Sequence, residues 1–278
     1  MYFPVLPKDS SSVALPGFRL LQGKIARKSW IDNDKSKAAR KIRRYINNCI
    51  NVFDVELSAA GENLFDTMIG EILANADDHS DINKWYVYGS LTLHPLEEVS
   101  DERPNFNGEL NIIFLNFGPS FYKGFADTKD LNSEMFQEMQ DIYKHSINST
   151  ELKASFPFES MVTLYGLQEG YSRLLHEDQS RGSGTMTYIR SFLDLGLKSK
   201  DFVSKLQILS GSTLVTCDGD VKPFMRDNRY FISLNHEEDL SKPPLQKYLR
   251  TTTQTFPGTM LLTKAFLDHT HLNSKIND

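Results

Sequence analysis

Cysteine is almost absent: Cys49 and Cys217 are the only two in 278 residues. Two thiols so far apart build no disulfide framework and lack the paired spacing of a thiolate zinc site, so a reducing, cytoplasmic compartment is expected. Long apolar runs are missing as well. The strongest, 111–117, falls far short of the roughly 20 residues that a membrane-spanning helix needs. The opening 15 residues carry Lys8 and Asp9 and no continuous apolar block, which excludes the pattern of a secretory signal. No charge sign dominates: 31 Lys and Arg face 36 Asp and Glu, and a formal charge of −5 gives no overall field to attract nucleic acid phosphates or anionic lipid. The one close histidine pair, His269 and His271, lies in a polar tail that reads as solvated rather than metal-binding. Three common motifs are also missing. Gly23-Lys24 is followed by Ile25 and makes no P-loop, there is no G-x-S-x-G elbow, and Gly182-Ser183-Gly184 runs into Thr185-Met186-Thr187 without the third glycine of a dinucleotide fingerprint. P-loop ATPases, serine hydrolases of that type and Rossmann dehydrogenases drop out.

What is present suits a folded chain with a sizeable core: 40% hydrophobic and 24% charged residues, with 16 Gly and 11 Pro. Residues 1–34, with Pro4, Pro7, Pro16 and a Ser10–Ser12 run, read as an irregular arm or short edge strand. From 35 to 53, Ala38, Ala39, Ile42, Tyr45, Ile46, Cys49 and Ile50 recur at helical spacing. The other face of that helix is basic, with Lys35, Lys37, Arg40, Lys41, Arg43 and Arg44. A solvated face is the usual meaning of such a run, and an acidic partner or nucleic acid is the alternative. Helical periods follow at 61–79, 131–146, 161–176 and 183–197, and strand patterns at 85–93, 109–117, 206–216, 229–234 and 258–266. Helices and strands alternate in blocks without a βαβ rhythm. The fold class expected is therefore α+β, a two-layer sandwich of helices over a mixed, mainly antiparallel sheet, as one domain over 35–278.

The second helix carries the densest chemistry. Glu71, Asn75 and Asp78 fall at i, i+4 and i+7 and so share one face, while Met68, Ile69, Ile72 and Ala76 cover others. A carboxylate can accept a proton from an attacking water, and a neighbouring carboxamide oxygen is a hard ligand suited to magnesium. The wet side of an amphipathic helix has the same pattern, and spacing alone does not separate the two.

The string Glu71-Ile72-Leu73-Ala74-Asn75-Ala76-Asp77-Asp78-His79 resembles the N box of the GHKL superfamily, the ATP-binding fold shared by gyrase, heat-shock chaperones, histidine kinases and mismatch-repair proteins. Three further pieces follow in family order. Asn116-Phe117-Gly118-Pro119-Ser120 resembles a first glycine box in which Asn replaces the adenine-contacting acid and Ser the second glycine. Arg181-Gly182-Ser183-Gly184-Thr185-Met186 is similar to the second glycine box, whose amides hold phosphates at a helix start. Gly258-Thr259, leading into Met260-Leu261-Leu262, resembles the Gly-Thr beneath the adenine pocket, and 206–211 the strand before it.

The resemblance implies a Bergerat-type ATP-binding fold with ATP and Mg2+ as cofactors and a long lid at 119–181. It assigns Glu71 as catalytic base and Asn75 as magnesium ligand. Asn75, Asp78, Asn116, Gly118, Arg181, Gly182, Ser183, Gly184, Thr185, Met186 and Thr259 become the nucleotide-binding residues. No histidine precedes His79, which argues against an upstream phosphoacceptor histidine, and the 12 residues after Phe266 leave no room for a transducer domain, so a stand-alone module is expected. Its implied role is a magnesium-dependent ATPase or ATP-gated switch acting with a separate protein partner or a second copy of itself, in bacterial regulation or defence. A trans-acting serine/threonine kinase of anti-sigma type and a nucleotide-independent interaction scaffold are the alternatives.

Overall fold

The computed structural model describes residues 13–14, 18–24, 34–51, 55–79, 84–95, 106–147, 156–173, 182–194, 203–268 and 271–274. Its main sheet has strand order β1 (Val13–Ala14), β4 (Lys84–Pro95), β5 (Phe106–Phe117), β9 (Leu249–Leu267) and β6 (Lys205–Asp218), with β2 (Phe18–Lys24) also pairing with β4. Every described pairing is antiparallel, in keeping with the mainly antiparallel sheet expected from the sequence. Part of the N-terminal arm is thereby an edge of the sheet. A second small sheet joins β3 (Val55–Leu57) to β10 (Leu272–Ser274), and a third is the hairpin of β7 (Phe224–Arg226) and β8 (Arg229–Phe231).

Helices cover one face of the main sheet. Along β5 the alternation is regular: Leu110, Ile112, Phe114 and Asn116 are buried, while the residues between them are half-exposed on the opposite face. Helix α1 (Asp34–Ile50) buries Ala39, Ile42, Ile46 and Ile50 at helical spacing. Its basic face is partly committed within the chain, since Arg43 pairs with Glu62 at 3.2 Å and Asp66 at 3.0 Å on α2. Helix α2 (Ala59–His79) starts where the Ser58 hydroxyl accepts from the Gly61 N–H at 3.1 Å, and it buries Phe65, Met68, Ile69, Ile72 and Leu73.

Between the two glycine-containing segments lie α3 (Phe121–Asp127), α4 (Ser133–Ser146) and α5 (Phe158–Tyr165). These are packed elements, with Met139, Met161, Val162, Leu164 and Tyr165 essentially inaccessible. Helix α3 was not read in the sequence, although Ser120 caps it by accepting from the Lys123 N–H at 3.2 Å. The helix expected over 161–176 instead runs 158–165. Beyond Tyr165 the chain turns, because Gln168 and Glu169 are held by the β-hairpin: their side chains accept from the N–H groups of Ile232 and Tyr230, each at 2.7 Å. Helix α6 (Gly184–Asp194) then packs Met186, Ile189 and Phe192 into the core beside α2. The last long strand also differs from expectation. It begins at Leu249 rather than 258 and pairs with β6 at 249–251, 256 and 259–264, with register shifts around Gly211.

Candidate functional site

The floor of the main cavity is built from rows of side chains on three neighbouring strands. Register places Asn116, Thr259 and Ser210 in one row and Phe114, Leu261 and Ile208 in the next. The first row is polar and closed by hydrogen bonds. The Thr259 N–H donates to Asn116 Oδ1 at 3.1 Å, the Thr259 and Ser210 hydroxyls meet at 2.9 Å, and the Phe121 N–H donates to Ser210 Oγ at 2.9 Å. The second row is apolar. Together they form one wall of a cavity of about 340 Å³, within the range of small-molecule sites.

The roof comes from α2 and the start of α6. Glu71 and Asn75 project into the cavity one turn apart, and Asn75 Nδ2 donates to Thr185 Oγ1 at 3.3 Å. Gly184 is the first residue of α6 and lies against the same two side chains, so close that a Cβ there would sit 2.7 Å from Glu71 Oε2 and 3.2 Å from Asn75 Oδ1. Gly182, at φ +107°, lets the chain turn into the helix, and its carbonyl accepts from the Gly170 N–H at 2.9 Å. The Gly182–Thr185 segment is thus braced from behind by the 167–171 turn, which the β-hairpin holds in place. The first N–H groups of α6 have no partners in their own helix and carry the positive end of its dipole, an environment that favours an anion.

Eight of the residues singled out in the sequence line this one cavity: Glu71, Asn75, Asn116 and Thr259, and the consecutive run Gly182, Ser183, Gly184 and Thr185. Two others do not. Met186 is buried in the core instead, and the Gly118 N–H is turned to the Pro257 carbonyl at 3.4 Å. Arg181 lies outside the described residues, as does the side chain of Asp78 at the end of α2. The sequence reading did not assign Tyr171, Ser172, Arg173 or Tyr188 of α6 to the site, and all four line the cavity. No motif announced them. Burial holds the Tyr171 and Tyr188 hydroxyls well above the usual phenol range, with neighbouring Glu138 adding to the effect at Tyr171, so both stay protonated.

Glu71 offers carboxylate oxygens and Asn75 a carboxamide oxygen, hard donors that fit magnesium. No cluster of three or more His, Cys, Asp or Glu residues that could hold a metal ion occurs among the described residues. Among those residues, too, no helix is long and apolar enough to cross a membrane. Comparison with protein-family models, curated proteins and solved structures finds no match.

Proposed function

We propose that this cavity binds a magnesium nucleoside triphosphate, ATP by the GHKL resemblance, and that hydrolysis switches a surface read by a protein partner. The observation that carries the reading is the meeting of Glu71 and Asn75 with the Gly182–Thr185 helix start in a cavity that is also lined by the apolar row of Phe114, Leu261 and Ile208. Phosphates suit the helix start and a heteroaromatic base the apolar row. The amides at the start of α6 would hold the phosphate oxygens, and the absence of a side chain at Gly184 lets them approach the backbone. Asn75 Oδ1 is the ligand the chain offers to magnesium. When bound, that ion offsets the charge on the phosphate oxygens.

Glu71 orients a water toward the terminal phosphorus and takes its proton as the new P–O bond forms. The bond to the bridging oxygen breaks, leaving a nucleoside diphosphate and inorganic phosphate. Helix α3, through Phe121 and Phe125, and Gly166 at the end of α5 border the cavity and are the elements whose packing would respond to its occupant. Thermal unfolding with and without magnesium ATP, ADP and a non-hydrolysable analogue tests the reading. A ligand at a hundred times its Kd adds about 2.7 kcal/mol and raises the transition. An unmoved transition at millimolar nucleotide overturns it in favour of a nucleotide-independent scaffold.

A further inference from the structure

Asn116 is 93% buried, by its 7% residual exposure, on the cavity floor, and its orientation is set by the chain itself. Its Oδ1 faces the Thr259 N–H at 3.1 Å, and this fixes which end of the carboxamide is which, because an NH2 group cannot face an N–H donor. The Nδ2 group is therefore presented on the other side, and among the described residues no acceptor takes it. This donor opens on the cavity and takes its acceptor from whatever fills it. The flanking surface of Phe114, Ile208 and Leu261 is apolar and suits the faces of a flat ring, which leaves Asn116 to read the ring's edge.

Resting on the nucleotide reading above, we infer that this site does not demand a 6-amino purine, and that 6-oxo purine triphosphates bind about as well as ATP. A carboxylate at position 116 could only accept hydrogen bonds. It would welcome an exocyclic amino group and repel a carbonyl. The carboxamide differs at the atom that matters: Nδ2 donates to the oxygen of a 6-oxo purine, or to a ring nitrogen of a 6-amino purine whose amino group donates to the second lone pair of Oδ1. Neither base leaves the site with two opposed acceptors, so the strong rejection that an unpaired buried polar group produces is absent.

The experiment is competition of ATP, GTP and ITP against a fluorescent ATP analogue in magnesium buffer, with the parent protein and Asn116→Asp. Aspartate keeps the acceptor for the Thr259 N–H and exchanges only the donor. In the parent, GTP and ITP are expected to bind within about tenfold of ATP, and ITP separates the 6-oxo group from the 2-amino group of guanine. In Asn116→Asp the preference for ATP over both is expected to rise at least tenfold. A parent that prefers ATP by more than tenfold over GTP and ITP, or a preference unchanged in the variant, overturns the inference and leaves nucleotide binding standing. If none of the three competes and the fluorescent analogue itself does not bind, the nucleotide reading falls and takes this inference with it.

Discussion

Gly184 abuts Glu71 so closely that a single methyl group on the glycine would lie 2.7 Å from a carboxylate oxygen. A helix start and a carboxylate from another helix are held in contact by the packing of α2 against α6, and both line the same cavity.

That contact makes the two glycines of the segment separable by experiment. Gly184 has an ordinary helical backbone, and the carboxylate it would displace ends a flexible side chain. Gly184→Ala is expected to unfold like the parent while losing nucleotide affinity by roughly tenfold, as the phosphate approach narrows. Gly182→Ala is expected to be destabilised by about 1–3 kcal/mol, because φ +107° is strained for any side chain. Its Cβ would also lie 3.0 Å from the backbone of Gly170 and Tyr171. Denaturant unfolding and equilibrium binding of both variants separate the two effects.

Glu71 and Asn75 differ in role although they share a helix face. Glu71→Ala should reduce turnover by roughly 10² to 10⁴ with ATP still bound, the scale of a lost general base. Asn75→Ala should weaken magnesium-dependent binding itself, since it loses both the amide oxygen and the bond to Thr185. Phosphate release and binding isotherms on the two variants decide this. Parent-like hydrolysis by the first, or parent-like magnesium-ATP binding by the second, would refute the assignment.

Tyr188 reaches from α6 to the sheet, where its hydroxyl hydrogen-bonds to that of Thr263, both residues being buried. Tyr188→Phe leaves the threonine hydroxyl without this partner and should cost about 1–3 kcal/mol. Adding Thr263→Val removes the orphaned group, so the double variant should be less destabilised than the two single effects added together. Urea unfolding of the four proteins measures the coupling, and strict additivity would contradict it.

Cys217 is a fully buried free thiol whose pKa is pushed from the ordinary 9.0 up to about 12, chiefly by burial and secondarily by the charge of Asp218. The folded chain keeps this proton through a range in which the unfolded chain loses it. The stabilising contribution is therefore complete below pH 9 and disappears progressively between pH 9 and 12. Urea midpoints should fall more steeply from pH 8 to 10.5 for the parent than for Cys217→Ala. In a Cys49→Ala background, native protein at pH 8 should react with a thiol reagent only as fast as it opens.

The helices that a hydrophobic period of 3.6 predicts at 35–53, 61–79 and 131–146 are present as α1, α2 and α4, because each encodes its own buried face in local spacing. Alternation at 85–93 and 109–117 likewise marks β4 and β5. Where the sequence misleads, a distant segment has taken over local hydrogen bonding. Gln168 and Glu169 continue a helical period in the sequence, yet they cap the edge of a hairpin some 60 positions away, as the separations of 64 and 61 residues show. Thr259 follows a glycine that reads as a strand start, yet β6 extends that strand back to Leu249 by pairing with it.

For the site, residue chemistry and local order were determined by the sequence: an acid and an amide one turn apart, a glycine pair opening a helix, an asparagine at the end of a strand. Whether these pieces face one another depends on sheet register and helix packing, which couple residues as far apart as Asn75 and Thr185 or Asn116 and Thr259. The same is true of the donor that Asn116 presents. A carboxamide can be turned either way, and only the Thr259 N–H, delivered by the register of β9 on β5, fixes the choice. Local periodicity determined the elements because each buries its own apolar face. Tertiary structure decided the binding surface, because the hydrogen-bond partner that orients each polar group comes from elsewhere in the chain.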